Sequence, residues 1–506
     1  MSTEAFKATP ALLLVLALVI FLLVGLFGSL RRQTGSSYYG IGVRSIGRIG
    51  IGAAIASNWM SAASFLGIAG IFYLKGYFAF AYVVGWTGGY VLLLILMAGQ
   101  IRRFGKYTAP EFVGARYDSP LARLIAAVVA ILISLIYCIA QYKGIGLVFS
   151  WIFGLDYTHS LLLGTLVVIS YLVLSGILGA ARNQRFQYAV LILSFLIPLM
   201  LIARKLGYNW LLPQFSYGEA LQDLAATPAR METAPWAHGT PYQWLALCIT
   251  LMVGTAGLPH VLSRFYTVPN VRDARWSVVW GLCFIGLLYW SAPAYATFAH
   301  LWEARNGTPP LPPDMADLVV IKAGEWAGVP IWAVGIIAVG AISAAFSTVS
   351  GLLITGAGAF SYDIYCRFLN PQATEQERMQ IAKGATLVLA ALVLLVAAQP
   401  LGLIAEVTAV AFALAGNTLF PVFLLGIWWD RANKQGAIAG MLTGIVITFG
   451  AMLLPTGSLL GTLFPATSSA FLGAPLVILV MIATSLATPQ PPEEIRRFLA
   501  EEVHSP

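Results

Sequence analysis

The fold of this chain follows from Gly52-Ala-Ala-Ile-Ala-Ser-Asn-Trp-Met-Ser-Ala-Ala-Ser-Phe-Leu-Gly67. This segment is apolar enough to cross a membrane, but small and polar residues interrupt it at mid-membrane depth. A second segment, Leu251-Met-Val-Gly-Thr-Ala-Gly-Leu-Pro-His-Val-Leu-Ser-Arg-Phe265, contains two glycines and Pro259, which weaken a helix. Unwound backbone inside a membrane is tolerated where it lines a cavity or is buried in protein. For either segment alone, helix packing through small residues is the alternative.

The composition excludes the soluble classes. The chain has 506 residues, of which 59% are hydrophobic and only 10% are charged. A soluble domain usually carries about 25% charged residues. The chain is therefore an all-α polytopic membrane protein, and a nucleic-acid-binding protein or a soluble enzyme is excluded.

We predict 13 membrane spans from apolar runs of about 20 residues. Of the 29 Lys and Arg residues, 21 fall in cytoplasmic loops if the N-terminus is outside and the C-terminus inside, which favours that topology. The predicted spans are centred on Ile20, Trp59, Val91, Ile133, Val168, Leu193, Val253, Leu287, Phe346, Val388, Leu414, Thr443 and Val477.

The two interrupted segments are spans 2 and 7, five spans apart. Spans 2–6 and 7–11 would form two five-helix units of opposite orientation, and interrupted helices at matching positions of inverted repeats indicate a transporter site. We divide the chain into an additional N-terminal helix (1–35), a first repeat (36–206), a second repeat with its outer loops (207–430), two additional helices (431–490) and a cytoplasmic tail (491–506). The polar stretch 303–328 is predicted to be an outer cover or a gate.

Span 9 contains a candidate cation site in Ala341-Ile-Ser-Ala-Ala-Phe-Ser-Thr-Val-Ser-Gly-Leu-Leu353. A sodium ion is a hard cation that needs several oxygen ligands. The hydroxyls of Ser347 and Thr348 and the carbonyl of Ala344 can supply one wall, and carbonyls at the break in span 2 can supply the other. The alternative is that both hydroxyls bond carbonyls of their own helix.

Several motifs resemble the sodium/solute symporter family over about residues 35–450. Ser57-Asn-Trp-Met-Ser-Ala-Ala-Ser-Phe-Leu-Gly67 resembles its first core helix, and Phe360-Ser-Tyr-Asp-Ile-Tyr365 resembles the end of its sodium-binding helix. Arg103-Phe-Gly-Lys-Tyr-Thr-Ala-Pro-Glu-Phe-Val-Gly-Ala-Arg-Tyr117 resembles its cytoplasmic loop motif. Leu135-Ile-Tyr-Cys-Ile-Ala-Gln141 and the segment from Gly254 to Thr267 are similar to its acetate and monocarboxylate permease branch.

The resemblance implies a LeuT-type inverted repeat of five plus five helices and sodium-coupled uptake by alternating access. It implies a sodium site made by the carbonyls of Ser57, Met60 and Ala344 and the hydroxyls of Ser347 and Thr348. The solute would lie beside the break in span 2. Its predicted contacts are Trp59, Met60, Ser61, Ser64, Phe65, Gln141, Gly254, Thr255, Gly257 and Asn417.

Lys143 and Trp59 depart from the family pattern. A lysine within a span is costly and indicates function by default. Lys143 would attract a carboxylate, compete with a cation or extend to the outer surface. Trp59 stands where other branches carry a polar residue, which narrows the cavity and argues against a large sugar.

Two polar residues follow the break in span 7. His260 would titrate near neutral pH or act as a structural partner at the inner gate. Arg264 would lie at the cytoplasmic exit and pair with an acid or draw an anion. We find no Asp or Glu deep in the predicted spans, which argues against a carboxylate proton relay and fits a neutral Na⁺ site.

We therefore predict a cell-membrane symporter, not an enzyme, that couples Na⁺ to a small monocarboxylate such as acetate, pyruvate, lactate or propionate. The alternatives are a symporter of an amino acid, a sugar or another small solute, and a solute sensor that reuses the fold. Membrane lipid is an expected partner. A small membrane subunit or a homo-oligomer stays open.

Overall fold

The computed structural model describes residues 6–29, 48–104, 108–226, 236–263, 271–399, 402–455 and 457–504. All 13 predicted span centres lie in helices, and these ranges contain no β-strand. Among them, 11 helices are long and apolar enough to cross a membrane. The all-α membrane fold is confirmed, whereas the exact number of spans stays a prediction.

The first half of the chain contains spans 1–6. Spans 5 and 6 are assigned to one helix, yet the Asn183 amide donates a hydrogen bond to the Tyr171 hydroxyl at 2.9 Å. Twelve residues of straight helix cover about 18 Å, which is too long for this contact, so the helix is not straight between these two residues. The helices are span 1, Ala8–Ser29; span 2, Arg48–Trp59 and Ile68–Lys75; span 3, Phe80–Leu96; span 4, Pro120–Phe153; and spans 5 and 6, Tyr157–Leu206.

The second half contains spans 7–13. Span 9 continues into a π-helical segment, Ala359–Leu369, at its end. The helices are span 7, Pro241–Gly257 and Pro259–Leu262; span 8, Val271–Asn306; span 9, Ile331–Gly358; span 10, Glu375–Ala397; span 11, Ile404–Asn417 and Leu419–Trp428; span 12, Lys434–Leu453; and span 13, Ala470–Ala487.

Short helices connect the spans, and two more follow span 13. The predicted outer cover includes two of them, Pro313–Leu318 and Val319–Trp326, and most of their side chains are buried. The others are Gly76–Ala79, Ala98–Phe104, Ala109–Arg116, Pro213–Ala225, Leu459–Leu463, Glu493–Phe498 and Leu499–Val503.

The predicted interruption of span 2 is confirmed. The first helix of the span ends at Trp59, and a π-helical turn, Ala63–Gly67, leads into the second helix. The backbone N–H of Ala62 leaves the helical pattern and donates to Oε1 of Gln141 at 2.7 Å. A side chain of span 4 therefore supports the backbone at the break.

Span 7 is also interrupted as predicted. Its first helix ends at Gly257, and Leu258 has extended backbone angles, φ −72° and ψ 118°. Proline disfavours helical angles in the residue before it, so Pro259 accounts for this conformation.

A third interruption, in span 11, was not predicted. Asn417 ends one helix and Leu419 begins the next. Pro421 lies four residues after Asn417 and has no N–H to donate to the Asn417 carbonyl. The proline was the sequence signal for this break.

Candidate functional site

Hydroxyls of span 9 meet free carbonyls of span 2. Ser347 Oγ donates to the Ser57 carbonyl at 2.5 Å and lies 3.0 Å from the Ala344 carbonyl. Thr348 Oγ1 donates to the Asn58 carbonyl at 3.1 Å. The four predicted groups of Ser57, Ala344, Ser347 and Thr348 are thus brought into one buried oxygen cluster.

The span 9 hydroxyls were predicted either to bind a cation together with span 2 or to bond carbonyls of their own helix, and the cluster shows contacts of both kinds. Ser347 contacts its own helix through Ala344, as the alternative expected, but it also reaches across to span 2. Met60, the fifth predicted ligand, is the first residue after the helix end and is fully buried. Its role as a ligand stays a prediction.

Two side chains at the cluster were missed by sequence reasoning. The Gln184 amide donates to Asn58 Oδ1 and to the Ser347 carbonyl, both at 3.3 Å. Gln184 lies next to Arg185 and between the centres of predicted spans 5 and 6, so nothing in its local sequence indicated this contact.

An aromatic wall surrounds Trp59 beside the break in span 2. The indole packs edge-to-face on Tyr90 and Phe412, with ring centroids 4.8 Å and 5.5 Å away. Trp86 also contacts Phe412, at 5.7 Å, and tilts against Tyr289, at 6.1 Å. All four partners of Trp59 in this wall come from spans 3, 8 and 11 and were not predicted.

Polar side chains also lie beside the break in span 2. The Gln141 carbonyl oxygen is occupied by the Ala62 N–H, which leaves the amide NH₂ as the free end of this side chain. Gln141 Nε2 and Trp86 Nε1 are both buried and have no hydrogen-bond partner among the described residues. The Tyr137 hydroxyl donates to Ser61 Oγ at 3.3 Å.

Two of the unpartnered polar groups at the break, those of Gln141 and Trp86, are hydrogen-bond donors only, whereas a third, the buried Ser57 hydroxyl, can donate or accept. Trp can only donate, and the Gln141 NH₂ group can only donate. No Asp or Glu side chain is among the described residues that form the break contacts and the aromatic wall. Such a site suits an acceptor-rich solute with an apolar part.

Ser64 and Phe65 face different neighbours. Ser64 Oγ lies 3.0 Å from the Tyr289 hydroxyl, next to the aromatic wall. The Phe65 ring packs on Phe195 of span 6 at 4.9 Å. Ser64 is therefore close to Trp59, whereas Phe65 contributes to packing between spans 2 and 6.

The predicted residues of span 7 lie at helix contacts. A Cβ at Gly254 would lie 2.4 Å from the Phe412 carbonyl oxygen, and one at Gly257 would lie 2.6 Å from the Ala415 carbonyl oxygen. Thr255 donates to the Leu251 carbonyl at 2.7 Å and packs on Gly89 of span 3. These residues let spans 3, 7 and 11 approach closely, and direct solute contact by them stays a prediction.

Asn417 lies at the break in span 11 but turns toward the C-terminal helices. Its amide donates to Thr448 Oγ1 at 2.9 Å and to Ser469 Oγ at 3.1 Å. Its side-chain oxygen has no hydrogen-bond partner among the described residues. The NH₂ group of Asn417 is therefore engaged by the C-terminal helices, and a contact between Asn417 and the solute stays a prediction.

His260 is buried beside the break in span 7, and its ring centroid is 5.6 Å from that of Tyr137. It thus lies one aromatic side chain away from Ser61. Arg264, predicted at the cytoplasmic exit, lies outside the described residues.

Lys143 is held in an ion pair. Its ammonium lies 2.9 Å from Asp317 Oδ2 and donates to the Gly402 carbonyl at 2.8 Å. Asp317 Oδ2 also accepts the Ile404 N–H at 3.1 Å. Burial raises the pKa of Asp317, and the neighbouring Lys143 opposes that shift. The expectation that Lys143 extends to the surface is wrong, because only 7% of its side chain is exposed, and its charge is already paired.

A second buried ion pair lies at the opposite end of span 4. Arg123 and Asp363 approach to 2.7 Å, and Thr108 donates to the same carboxylate at 3.1 Å. Span 4 is thus attached to the outer cover at one end and to the end of span 9 at the other.

The fold and the site together define a class, a secondary transporter with a LeuT-type core built around two interrupted helices. The chain matches the family model "Sodium:solute symporter family" over residues 38–444. The chain belongs to that family. It is therefore a multi-pass protein of the cell membrane and a sodium-coupled symporter, not an enzyme.

Similar proteins agree with the assignment. An uncharacterized symporter of Cupriavidus necator is 30% identical, with 96% of this chain and 92% of that protein covered. The uncharacterized symporter YwcA of Bacillus subtilis is 33% identical, with 92% of this chain and 90% of that protein covered.

Two solved transporter structures share the fold. A Na⁺-coupled sialic acid symporter in a substrate-bound outward-open state superposes with a TM-score of 0.77 at 19% identity, covering 95% of this chain and 98% of that chain. Mhp1, a nucleobase-cation-symport-1 family transporter with bromovinylhydantoin bound, superposes with a TM-score of 0.53 at 16% identity, covering 91% of this chain and 97% of that chain.

Proposed function

We propose that this symporter couples Na⁺ entry to the uptake of a small monocarboxylate of the acetate, propionate, lactate or pyruvate type. The observation that carries the proposal is the pair of buried donors, Gln141 Nε2 and Trp86 Nε1, beside an aromatic wall. A carboxylate accepts hydrogen bonds through both oxygens, and its short alkyl part suits an apolar wall.

The oxygen cluster of spans 2 and 9 is the proposed Na⁺ site. Its oxygen ligands would be the carbonyls of Ser57 and Ala344 and the hydroxyls of Ser347 and Thr348, with the Met60 carbonyl as the fifth. None carries a formal charge, which suits a weakly held ion that must leave on the inner side. The break in span 2 is next to both this cluster and the proposed solute site, so Na⁺ and the solute would contact the same stretch of backbone.

The proposed solute site contains Trp59, Ser61, Ser64 and Gln141 together with groups that the structure adds to them. It excludes Lys143, because the ammonium is paired with Asp317. The added groups are Trp86, Tyr137, Tyr289 and Phe412.

Uptake by purified protein in liposomes tests the proposal. We expect labelled acetate to accumulate when an inward Na⁺ gradient is imposed and not when K⁺ replaces Na⁺. Unlabelled propionate, lactate and pyruvate should compete, whereas neutral amino acids and sugars should not. Competition by an amino acid or a sugar alone would assign the solute to that class, and uptake driven by a pH gradient without Na⁺ would contradict the coupling.

Gln141→Glu tests the donor site with little change in shape. The Glu side chain can still accept the Ala62 N–H, but it replaces the NH₂ donor with an oxygen and adds negative charge. We expect acetate affinity to fall about tenfold or more, because a hydrogen bond to a charged group typically contributes about 1.5–3 kcal/mol and the added charge also repels the carboxylate. Gln214→Glu, at a buried amide that bonds Ser291, is the control. Equal acetate affinity in Gln141→Glu and wild type would remove Gln141 from the site.

A further inference from the structure

Tyr289 of span 8 joins the two sides of the break in span 2. The Trp59 indole N–H donates to the Tyr289 hydroxyl at 2.9 Å. The Tyr289 hydroxyl lies 3.0 Å from Ser64 Oγ, and Ser64 Oγ donates to the Trp59 carbonyl at 3.5 Å. Because Ser64 uses its one proton on Trp59, Tyr289 donates to Ser64. The three residues thus form a closed ring of hydrogen bonds.

The ring fixes the orientation of the Trp59 indole. Trp59 and Tyr289 are each only 1% exposed. A buried indole N–H needs an acceptor, and the Tyr289 hydroxyl is the acceptor in this orientation. Rotation of the indole would leave that N–H without a partner.

The orientation of Trp59 in turn sets the shape of the aromatic wall. Tyr90 and Phe412 both meet the indole edge-to-face, an arrangement that depends on the direction of each ring plane. A turned indole would open or close space on the side of the break where Gln141 and Ser61 lie.

We propose that Tyr289 is a positioning residue that sets the size limit of the solute site by holding Trp59. The inference rests on the proposed function, because it requires the carboxylate to lie beside the break in span 2. With Trp59 held in place, the buried indole would limit the length of the alkyl chain that the site admits. A longer alkyl chain meets the indole face.

Tyr289→Phe removes the hydroxyl and keeps the ring. We measure how strongly hexanoate inhibits Na⁺-driven uptake of labelled acetate, as a ratio to inhibition by unlabelled acetate. We expect this ratio to rise about tenfold in Tyr289→Phe, because an apolar pocket distinguishes ligands that differ by one methylene by about this factor. Tyr295→Phe is the matched control. Tyr295 is on the same span, is equally buried and donates to the Phe195 carbonyl at 2.7 Å. A purely structural loss would lower uptake of all acids together and leave this ratio unchanged, as we expect for Tyr295→Phe.

Trp59→Phe distinguishes positioning from direct contact. It should shift the ratio in the same direction, and Tyr289→Phe added to it should cause no further shift, because Tyr289 acts through Trp59. An additive shift in the double variant would overturn the positioning role. If Tyr289→Phe does not fold, Ser64→Ala is the second variant: it removes the acceptor of the Tyr289 proton but keeps the Trp59–Tyr289 bond, so it should shift the ratio in the same direction by a smaller amount, and an unchanged ratio would overturn the inference.

The outcomes separate this inference from the proposed function. Wild-type protein that shows no Na⁺-driven acetate uptake overturns both. Normal wild-type uptake together with an unchanged hexanoate-to-acetate ratio in Tyr289→Phe overturns this inference alone.

Discussion

Residues 56–59 illustrate how the broken helix makes a cation site. The last carbonyls of a helix have no intrahelical partner. At this end, Ala56 accepts the Met60 N–H and Trp59 accepts the Ser61 N–H. The two carbonyls between them, of Ser57 and Asn58, accept the span 9 hydroxyls instead. The partial negative charge at a helix C-terminus further favours a cation there.

Candidate residues could be selected from the sequence where the chemistry is local, although their role in binding Na⁺ stays a prediction. Adjacent hydroxyls in a small-residue helix can be read from the sequence, and Ser347 and Thr348 do meet span 2. Asn58 and Tyr289 were missed because their roles depend on contacts between spans, which leave no periodic or motif signal.

Thr348→Ala should weaken Na⁺ binding. The substitution removes one oxygen of the cluster, and changes even in the outer shell of a metal site typically cost about 10–100-fold in affinity. We expect the Na⁺ concentration for half-maximal uptake to rise at least about tenfold. Thr355→Ala is the control, since its hydroxyl bonds Gly351 of its own helix at 2.8 Å. Equal Na⁺ dependence in Thr348→Ala and Thr355→Ala would contradict the assigned site.

At the scale of helices, the two predicted breaks have different causes. Pro259 disfavours helical angles in the residue before it, so the break in span 7 has a local cause that can be identified from the sequence alone. Span 2 has no proline or glycine between Ser57 and Ala63. Its break is stabilised by Gln141 and by Ser61 Oγ, which accepts the Ala63 N–H at 3.1 Å. The sequence indicated this break only through its unusual polarity.

Gly254→Ala should disrupt the contact of spans 7 and 11. The added Cβ would lie 2.4 Å from the Phe412 carbonyl oxygen, so the two backbones must separate. Overpacking of this kind typically costs about 1–3 kcal/mol, and we expect a lower melting temperature in detergent. Gly286→Ala is the control, because a Cβ at Gly286 meets nothing within 4 Å. Unchanged melting of Gly254→Ala would contradict the backbone contact.

At the scale of the whole molecule, the Lys143–Asp317 pair connects span 4, the outer cover and the start of span 11. Removing one partner of a buried ion pair typically costs about 3–5 kcal/mol. We expect Lys143→Met and Asp317→Leu each to lower the melting temperature strongly. The double variant should recover part of the loss, because no charge is then left unpaired.

The exposed pair of Arg497 and Glu493 is the control for that cycle. Its side chains are 69% and 67% exposed, and surface pairs contribute little. Alanine at either position should leave melting unchanged. Full additivity of Lys143→Met and Asp317→Leu would show that the two charges do not interact.

The two ends of the described chain lie on opposite faces. The Lys7 N–H donates to the Ile152 carbonyl at 2.9 Å, at the end of span 4. The Val503 carbonyl accepts from Arg103 at 3.3 Å, just after the end of span 3. Span 4 begins on the face where span 3 ends and finishes on the other face. Lys7 therefore lies on the face where span 4 ends, and Val503 lies on the face where span 3 ends. An odd number of crossings requires this arrangement.

Labelling in intact cells tests which face is outside. His159→Cys and Arg497→Cys place thiols at exposed side chains on the opposite faces. Cys283→Ser removes the exposed native thiol, and Cys138, Cys248 and Cys366 are buried. The distribution of Lys and Arg predicts that an impermeant maleimide labels position 159 in intact cells and position 497 only after lysis. The reverse pattern would invert the topology, and the buried oxygen cluster would then receive Na⁺ along the opposite path.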